Sequence, residues 1–201
     1  MLNPSLSLIR RRGVGLGGVV LCAALSAILA SIFSAGSAHS APAASFAVLR
    51  KAAAPLPAHT FTPVLQGVGA NPARDAHLAF DNGVLRLYAV APRTDHLCLS
   101  VVQATTSVNS CVARSTVTQN DLVWISHAKP GGVYDLYGLA PDGIGSIRAG
   151  QAVTHVSNNA FVLHDVPNSV QDLEISRAGT HVVIHVGQQI PDGVTIAPDP
   201  E

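Results

Sequence analysis

Few residues in this sequence are able to do chemistry, and the first pair is Cys98 with Cys111. They stand 13 positions apart, on two strand-like runs that flank the polar segment Gln103 to Ser107. A hairpin over that segment sets the two sulfurs opposite each other, with Val101 facing Val108. Closing such a loop by a disulfide contributes about 3 kcal/mol on a chain-entropy argument. The rival chemistry is a thiolate nucleophile with His96 as its base. A second cysteine at pairing distance in an exported chain argues for the bond and against the free thiol. Cys22 lies inside an apolar run, preceded by Val20 and Leu21 and not by a small residue, and is not read as a lipid-attachment cysteine.

Nine histidines are many for 201 residues, and His127, His155, His164, His181 and His185 fall in the later part of the chain. His181 and His185 are four apart, which on a strand is about 13 Å, too far to share an ion. His155 and His185 occupy matching positions in a weak internal repeat, so they are the pair to weigh for a metal. No cysteine or carboxylate is fixed beside them, and the expectation is neither a metal site nor a cofactor. Asp142 and Asp192 sit in two Pro-Asp-Gly turns. A calcium pair or an acid/base couple is conceivable, but turn geometry already demands these residues: Pro at the first central position, Asp tolerated at the next, Gly at positive φ. The chain has no Gly-x-Ser-x-Gly elbow, no His-Glu-x-x-His, no phosphate loop and no zinc-type cysteine quartet, and Gly143-Ile144-Gly145-Ser146 lacks the context of a nucleotide loop. No catalytic residue is assigned, and an enzyme is the less favoured reading. Trp124, Tyr134 and Tyr137 could line a carbohydrate or peptide groove, but core filling is the favoured account of them.

Strands must position these groups. From residue 44 onward there are 21 Val, 7 Ile and 10 Thr against two Glu and two Lys, a balance that disfavours helices. One short helix is expected after Asn71-Pro72, with Asp75 in its first turn and Asp81-Asn82-Gly83 as its stop. Strands are expected at 84–90, 97–102, 108–114, 123–126, 133–139, 144–148, 152–156, 161–166, 170–175 and 181–186, separated by Pro-Gly, Asp-Gly, Asn-Asn and Ala-Gly turns. The fold class is therefore mainly β: an antiparallel hairpin meander forming a small sandwich or barrel, with one short helix and an N-terminal apolar helix. Residues 141–165 and 167–190 form the weak repeat, each unit a Pro-led turn and a hairpin, and Ile190-Pro191-Asp192-Gly193-Val194 begins a third.

Charge and hydropathy divide the chain at its other end. The formal net charge is zero, but it sums +3 from Arg10, Arg11 and Arg12 with −3 over residues 44–201. No broad basic field exists for nucleic acid. The three arginines are followed by the uncharged stretch 13–33 and a small-residue tract, the order of parts in a secretory signal. A helix over 13–33 would also rise roughly 31 Å and cross a bilayer if left uncleaved. Residues 1–43 are thus a signal peptide or N-terminal membrane anchor, and everything after Ala44 lies outside the cytoplasmic membrane, secreted or anchored. Residues 44–70 form an extended lead-in, its first part, 44–57, expected as a mobile or loosely docked arm, and 71–201 the β-domain.

The string Phe46-Ala47-Val48-Leu49-Arg50-Lys51, then Asn71-Pro72-Ala73-Arg74, Leu87-Tyr88-Ala89-Val90, Cys98 and Cys111, Tyr137-Gly138-Leu139-Ala140-Pro141-Asp142-Gly143-Ile144 and Asn159-Ala160-Phe161, resembles a group of uncharacterised exported proteins of actinobacteria. That resemblance implies an exported β-domain and carries over no catalytic residues. The function expected is a non-catalytic binding or structural module of the cell envelope, with an envelope protein or peptide as its partner. Two alternatives stand beside it: a small extracytoplasmic hydrolase built from residues such as His127 and Asp135, and the sensor part of a one-span membrane protein. A concave pocket holding a histidine within hydrogen-bond reach of a serine or carboxylate would favour the hydrolase.

Overall fold

Alternation of inward and outward side chains decides the architecture. The computed structural model describes residues 44–185, and the expected signal or anchor segment, the expected turn at Asp192 and the expected start of a third repeat lie outside the described residues. Four strands come first: β1 (Ala76–Asp81), β2 (Leu85–Val90), β3 (His96–Gln103) and β4 (Thr106–Ala113), in the order β1-β2-β3-β4. A second sheet joins β5 (Val123–Lys129) and β6 (Val133–Leu139) to β9 (Ala160–Pro167), in the order β5-β6-β9. The third contains β7 (Ile144–Ala149), β8 (Ala152–His155), β10 (Asp172–Arg177) and β11 (Thr180–His185), in the order β11-β10-β7-β8. All pairings are antiparallel.

The three-stranded sheet is the middle layer, because both of its faces are apolar. Val123, Ile125, Tyr137, Leu139 and Ala160 pack with Leu85, Leu87, Leu97 and Leu99 of the first sheet. Leu136, Phe161 and Leu163 pack with Ile144, Ile147, Leu173 and Ile175 of the third. Successive residues of a strand point to opposite faces, so one run of alternating side chains supplies both cores. Each fully buried Leu, Ile or Phe contributes about 1.5–3 kcal/mol, and these two clusters hold the layers together. Gly138 is needed at the second interface. It pairs with Phe161, and a Cβ there would lie 2.2 Å from the Phe161 ring. The sheets do not close into a barrel.

The outer face of the first sheet is also covered. Leu56 and Leu65 are buried against Tyr88, Val90, Cys98 and Val102, with Phe61 packed beside them. Leu65 lies on α1 (Pro63–Gly67), whose proline falls in the first helical turn, where its missing N–H costs nothing. Cys98 and Cys111 are direct register partners beneath this cover and form the disulfide, with Val101 opposite Val108 as expected.

Two local expectations are corrected. The helix expected after Asn71-Pro72 is β1. The turn signal itself is real: Asp75 Oδ2 accepts from Asn71 N–H at 2.8 Å, and Asp75 N–H donates to Asn71 C=O at 2.9 Å. It closes a single turn, after which pairing with β2 takes the chain over. The short α-helix among the described residues lies earlier, at α1. The 44–57 segment, expected as a mobile or loosely docked arm, is firmly docked: Phe46 and Val48 are buried in the core between the first two sheets, and the following segment covers the first sheet's other face. The repeat units fold as the hairpins β7–β8 and β10–β11 within one sheet, with β7 and β10 side by side at its centre.

Candidate functional site

Two carboxylates organise the polar groups of this domain, and the first holds the N-terminal segment. Asp142, in the turn before β7, accepts from Ala47 N–H at 2.7 Å and from the Asn159 side-chain amide at 2.8 Å through Oδ1. Its Oδ2 accepts from Ser45 Oγ at 3.0 Å and Arg50 at 3.2 Å. Asn159 Oδ1 accepts from Val48 N–H at 2.8 Å. Asn158 and Asn159 have φ of 52° and 63° in the two-residue turn between Ser157 and Ala160, a left-handed conformation that asparagine tolerates better than most residues. From there Asn158 donates its amide to the carbonyls of Leu78 and Ala79, both at 3.0 Å. Burial opposes ionisation of Asp142, but the Asn159 amide, the Ala47 N–H, Ser45 and Arg50 outweigh it and hold the carboxyl below the usual range. Turn geometry explains where Asp142 sits, and the clamp is its further role.

The second carboxylate, Asp135 on β6, is 6% exposed. Opposite it the register of β9 slips, so that His164 and Asp165 together face one residue, a β-bulge. Asp165 takes φ 55° there, which aims its N–H at Asp135 Oδ1, 2.9 Å away. Lys129 of β5 reaches both carboxylates, at 3.3 Å to Asp135 and 2.6 Å to Asp165. Tyr137 donates its hydroxyl to Asp135 Oδ2 at 3.1 Å, and His164 Nδ1 lies 3.2 Å from the same oxygen. The His164 ring meets that of Tyr137 edge-on. Burial again works against the Asp135 charge, and the Asp165 N–H, His164 and Lys129 more than compensate, leaving the carboxyl below its ordinary range. Tyr137 is pushed upward, first by burial and then by the Asp135 charge, and stays a hydrogen-bond donor.

His164 has a second side. Its ring lines a cavity of about 260 Å3 with Phe80 of β1 and Phe161 and Val162 of β9 on its apolar wall, and Thr154, His155 and Ser157 as polar groups. The 3.2 Å approach of Nδ1 to Asp135 Oδ2 favours the tautomer with its proton on Nδ1, which leaves the Nε2 lone pair for whatever enters. The cavity supplies the space.

The comparisons add no precedent. No family model, no curated protein and no solved structure matches the chain. The site is therefore read from its own geometry.

His155 lies on β8 and His185 on β11, at opposite edges of the third sheet, so three strand spacings, roughly 14 Å, separate them. His155 shares the cavity with His164, whereas His185 pairs with Asp172 on the surface at 2.8 Å. His127 is the register partner of Asp135, as a hairpin over 123–139 implies, yet the carboxylate turns to His164. Trp124 and Tyr134 pack in the second core and Tyr137 in the first. His164 and Lys129 went unassigned in the sequence. The signal for His164 is the adjacent pair His164-Asp165, two polar residues in a row that break the period-two pattern of Phe161 to Val166 where the bulge forms.

Proposed function

We propose that residues 44–185 are an extracytoplasmic binding module of the cell envelope, delivered by the export segment in residues 1–43, whose ligand site is the cavity beside His164. The observation that carries this reading is the placement of one imidazole between a buried, fully hydrogen-bonded carboxylate and a cavity with a phenylalanine wall. A ligand pocket combines apolar lining with a few oriented polar groups, and these residues supply both. The disulfide supports the location, since such bonds persist outside the reducing cytoplasm. Net negative charge over residues 44–201 argues against nucleic acid as the partner.

Binding is tested by titrating the full-length protein with a panel of small apolar fragments that carry one hydroxyl or carbonyl, read by NMR. Shifts confined to Phe80, Phe161, Val162 and His164 are expected. A panel that moves none of these resonances overturns the assignment of the site. Location is tested by cell fractionation with N-terminal sequencing. A chain in the medium that begins at His39, Ala41 or Ala44, or an intact N-terminus in membranes, agrees with export, whereas recovery in the cytoplasm refutes it.

A further inference from the structure

We infer that the cavity is also a hydrolytic site, in which His164 acts as general base on water against a small ester with an apolar acyl chain, and Asp135 acts as its positioning residue. This rests on the cavity being the ligand site. Three histidine–carboxylate pairs stand at similar distances among the described residues: His164–Asp135 at 3.2 Å, His181–Glu174 at 3.1 Å and His185–Asp172 at 2.8 Å. Distance does not set them apart, but surroundings do. The carboxylate side chains of Glu174 and Asp172 are 41% and 64% exposed, so solvent competes for them. Asp135 is 9% exposed by the same measure and is held by the Asp165 N–H, Lys129 and Tyr137. Only His164 of the three lines the cavity. The backbone around it is held in a left-handed bulge at Asp165, the kind of local cost that persists where an orientation has to be fixed.

The chemistry follows from that orientation. Nδ1–H donates to Asp135, so Nε2 accepts a proton from a water in the cavity as the water oxygen bonds to the ester carbonyl carbon. The Thr154 and Ser157 hydroxyls are the donors in the cavity for the carbonyl oxygen as it gains charge. The carbon–alkoxy bond then breaks, and the departing alkoxide takes the proton back from the imidazolium. Ester and water become acid and alcohol with no other reactant. The acyl chain lies against Phe80, Phe161 and Val162. The groups gathered around Asp135 beside the imidazole are Lys129, Tyr137 and Asp165, and His155 lines the same cavity.

The molecule supplies the control for the experiment. Purified full-length protein is assayed with p-nitrophenyl butyrate, because any exposed imidazole hydrolyses such an ester slowly. His164→Gln is expected to lower the rate by about 100-fold, in the range of general-base contributions, whereas the double variant His181→Gln/His185→Gln leaves it unchanged. Asp135→Asn is expected to lower kcat while KM for the ester stays unchanged, the split of a residue that positions the base and does not hold the substrate. Equal rates for His164→Gln and the parent overturn the hydrolytic inference. A non-cleavable ketone analogue of the ester separates the two readings: if it shifts Phe80 and Val162 while the ester is not turned over, binding stands and hydrolysis falls. If it shifts nothing and no ester is cleaved, both fall.

Discussion

Asp142 and Asp135 are both partly shielded carboxylates held ionised by several donors, yet one is closed and the other open. Every donor on Asp142 belongs to the frame: Ala47 N–H, the Asn159 amide, Ser45 and Arg50. Its work ends at the attachment of residues 45–50. Asp135 is built of the same materials, a backbone N–H, a cation and a hydroxyl, but beside it also stands an imidazole whose residue lines a cavity. A buried ionised acid is therefore not evidence of function by itself. What matters is whether its partner has a face left over.

The largest effect belongs to the closed node. Asp142→Ala strands the Ala47 N–H and the Asn159 amide and should lower stability by on the order of 3 kcal/mol, seen as a lower urea midpoint with an unchanged slope. A loss below about 1 kcal/mol would mean the arm is held by Phe46 and Val48 alone. Asp135→Asn keeps the shape and loses the charge, for which a cost of about 2 kcal/mol is expected. Its sharper readout is 15N NMR of His164, which should lose its preference for the Nδ1–H tautomer; an unchanged tautomer would show that Asp135 does not orient the ring. Acid comes next. Both carboxyls lie below their unfolded range, so the folded state binds fewer protons than the unfolded chain and stability rises with pH. This contribution is fully present above about pH 4 and drains away as pH falls through the folded values. The double variant Asp135→Asn/Asp142→Asn should show a flatter midpoint-against-pH curve between about pH 4 and pH 2; a parallel curve would assign acid sensitivity elsewhere. The smallest effect is that of His164→Gln, within about 0.5 kcal/mol, because the side chain is 57% exposed. A large loss there would turn the open node into a second structural clamp.

Much of the fold was legible because its signals are local. The strand from Val133 to Leu139 was expected with the bounds it has, and the register of β3 on β4 followed from where Cys98 and Cys111 had to meet. β1 was misread for an equally local reason: Asn71, Pro72 and Asp75 do make a helical turn, and nothing in Ala76 to Phe80 announces that β2 will extend it instead. The candidate site was hardly legible at all. Asp135 and His164 are brought together by a bulge whose only trace is two consecutive polar residues. Asp142 meets Ala47 across 95 positions, which turn chemistry at Pro141-Asp142-Gly143 does not foresee. Likewise the matching repeat positions of His155 and His185 suggested neighbours, but the hairpins associate through their first strands, which sends their second strands to the two edges.

The cover over the first sheet has a kinetic consequence. Leu56 and Leu65 are made before Cys98 and Cys111 during synthesis, yet they settle on those cysteines only after β3 and β4 have come together. The oxidant that joins the sulfurs thus works in the interval before the cover seats. Once it has seated, Cys98 has no accessible surface, whereas Cys111 is only partly buried, so a reductant meets the bond first at the Cys111 sulfur. Attack there expels the Cys98 thiolate into the covered side, so brief reduction should leave the mixed disulfide on Cys111 and the free thiol on Cys98.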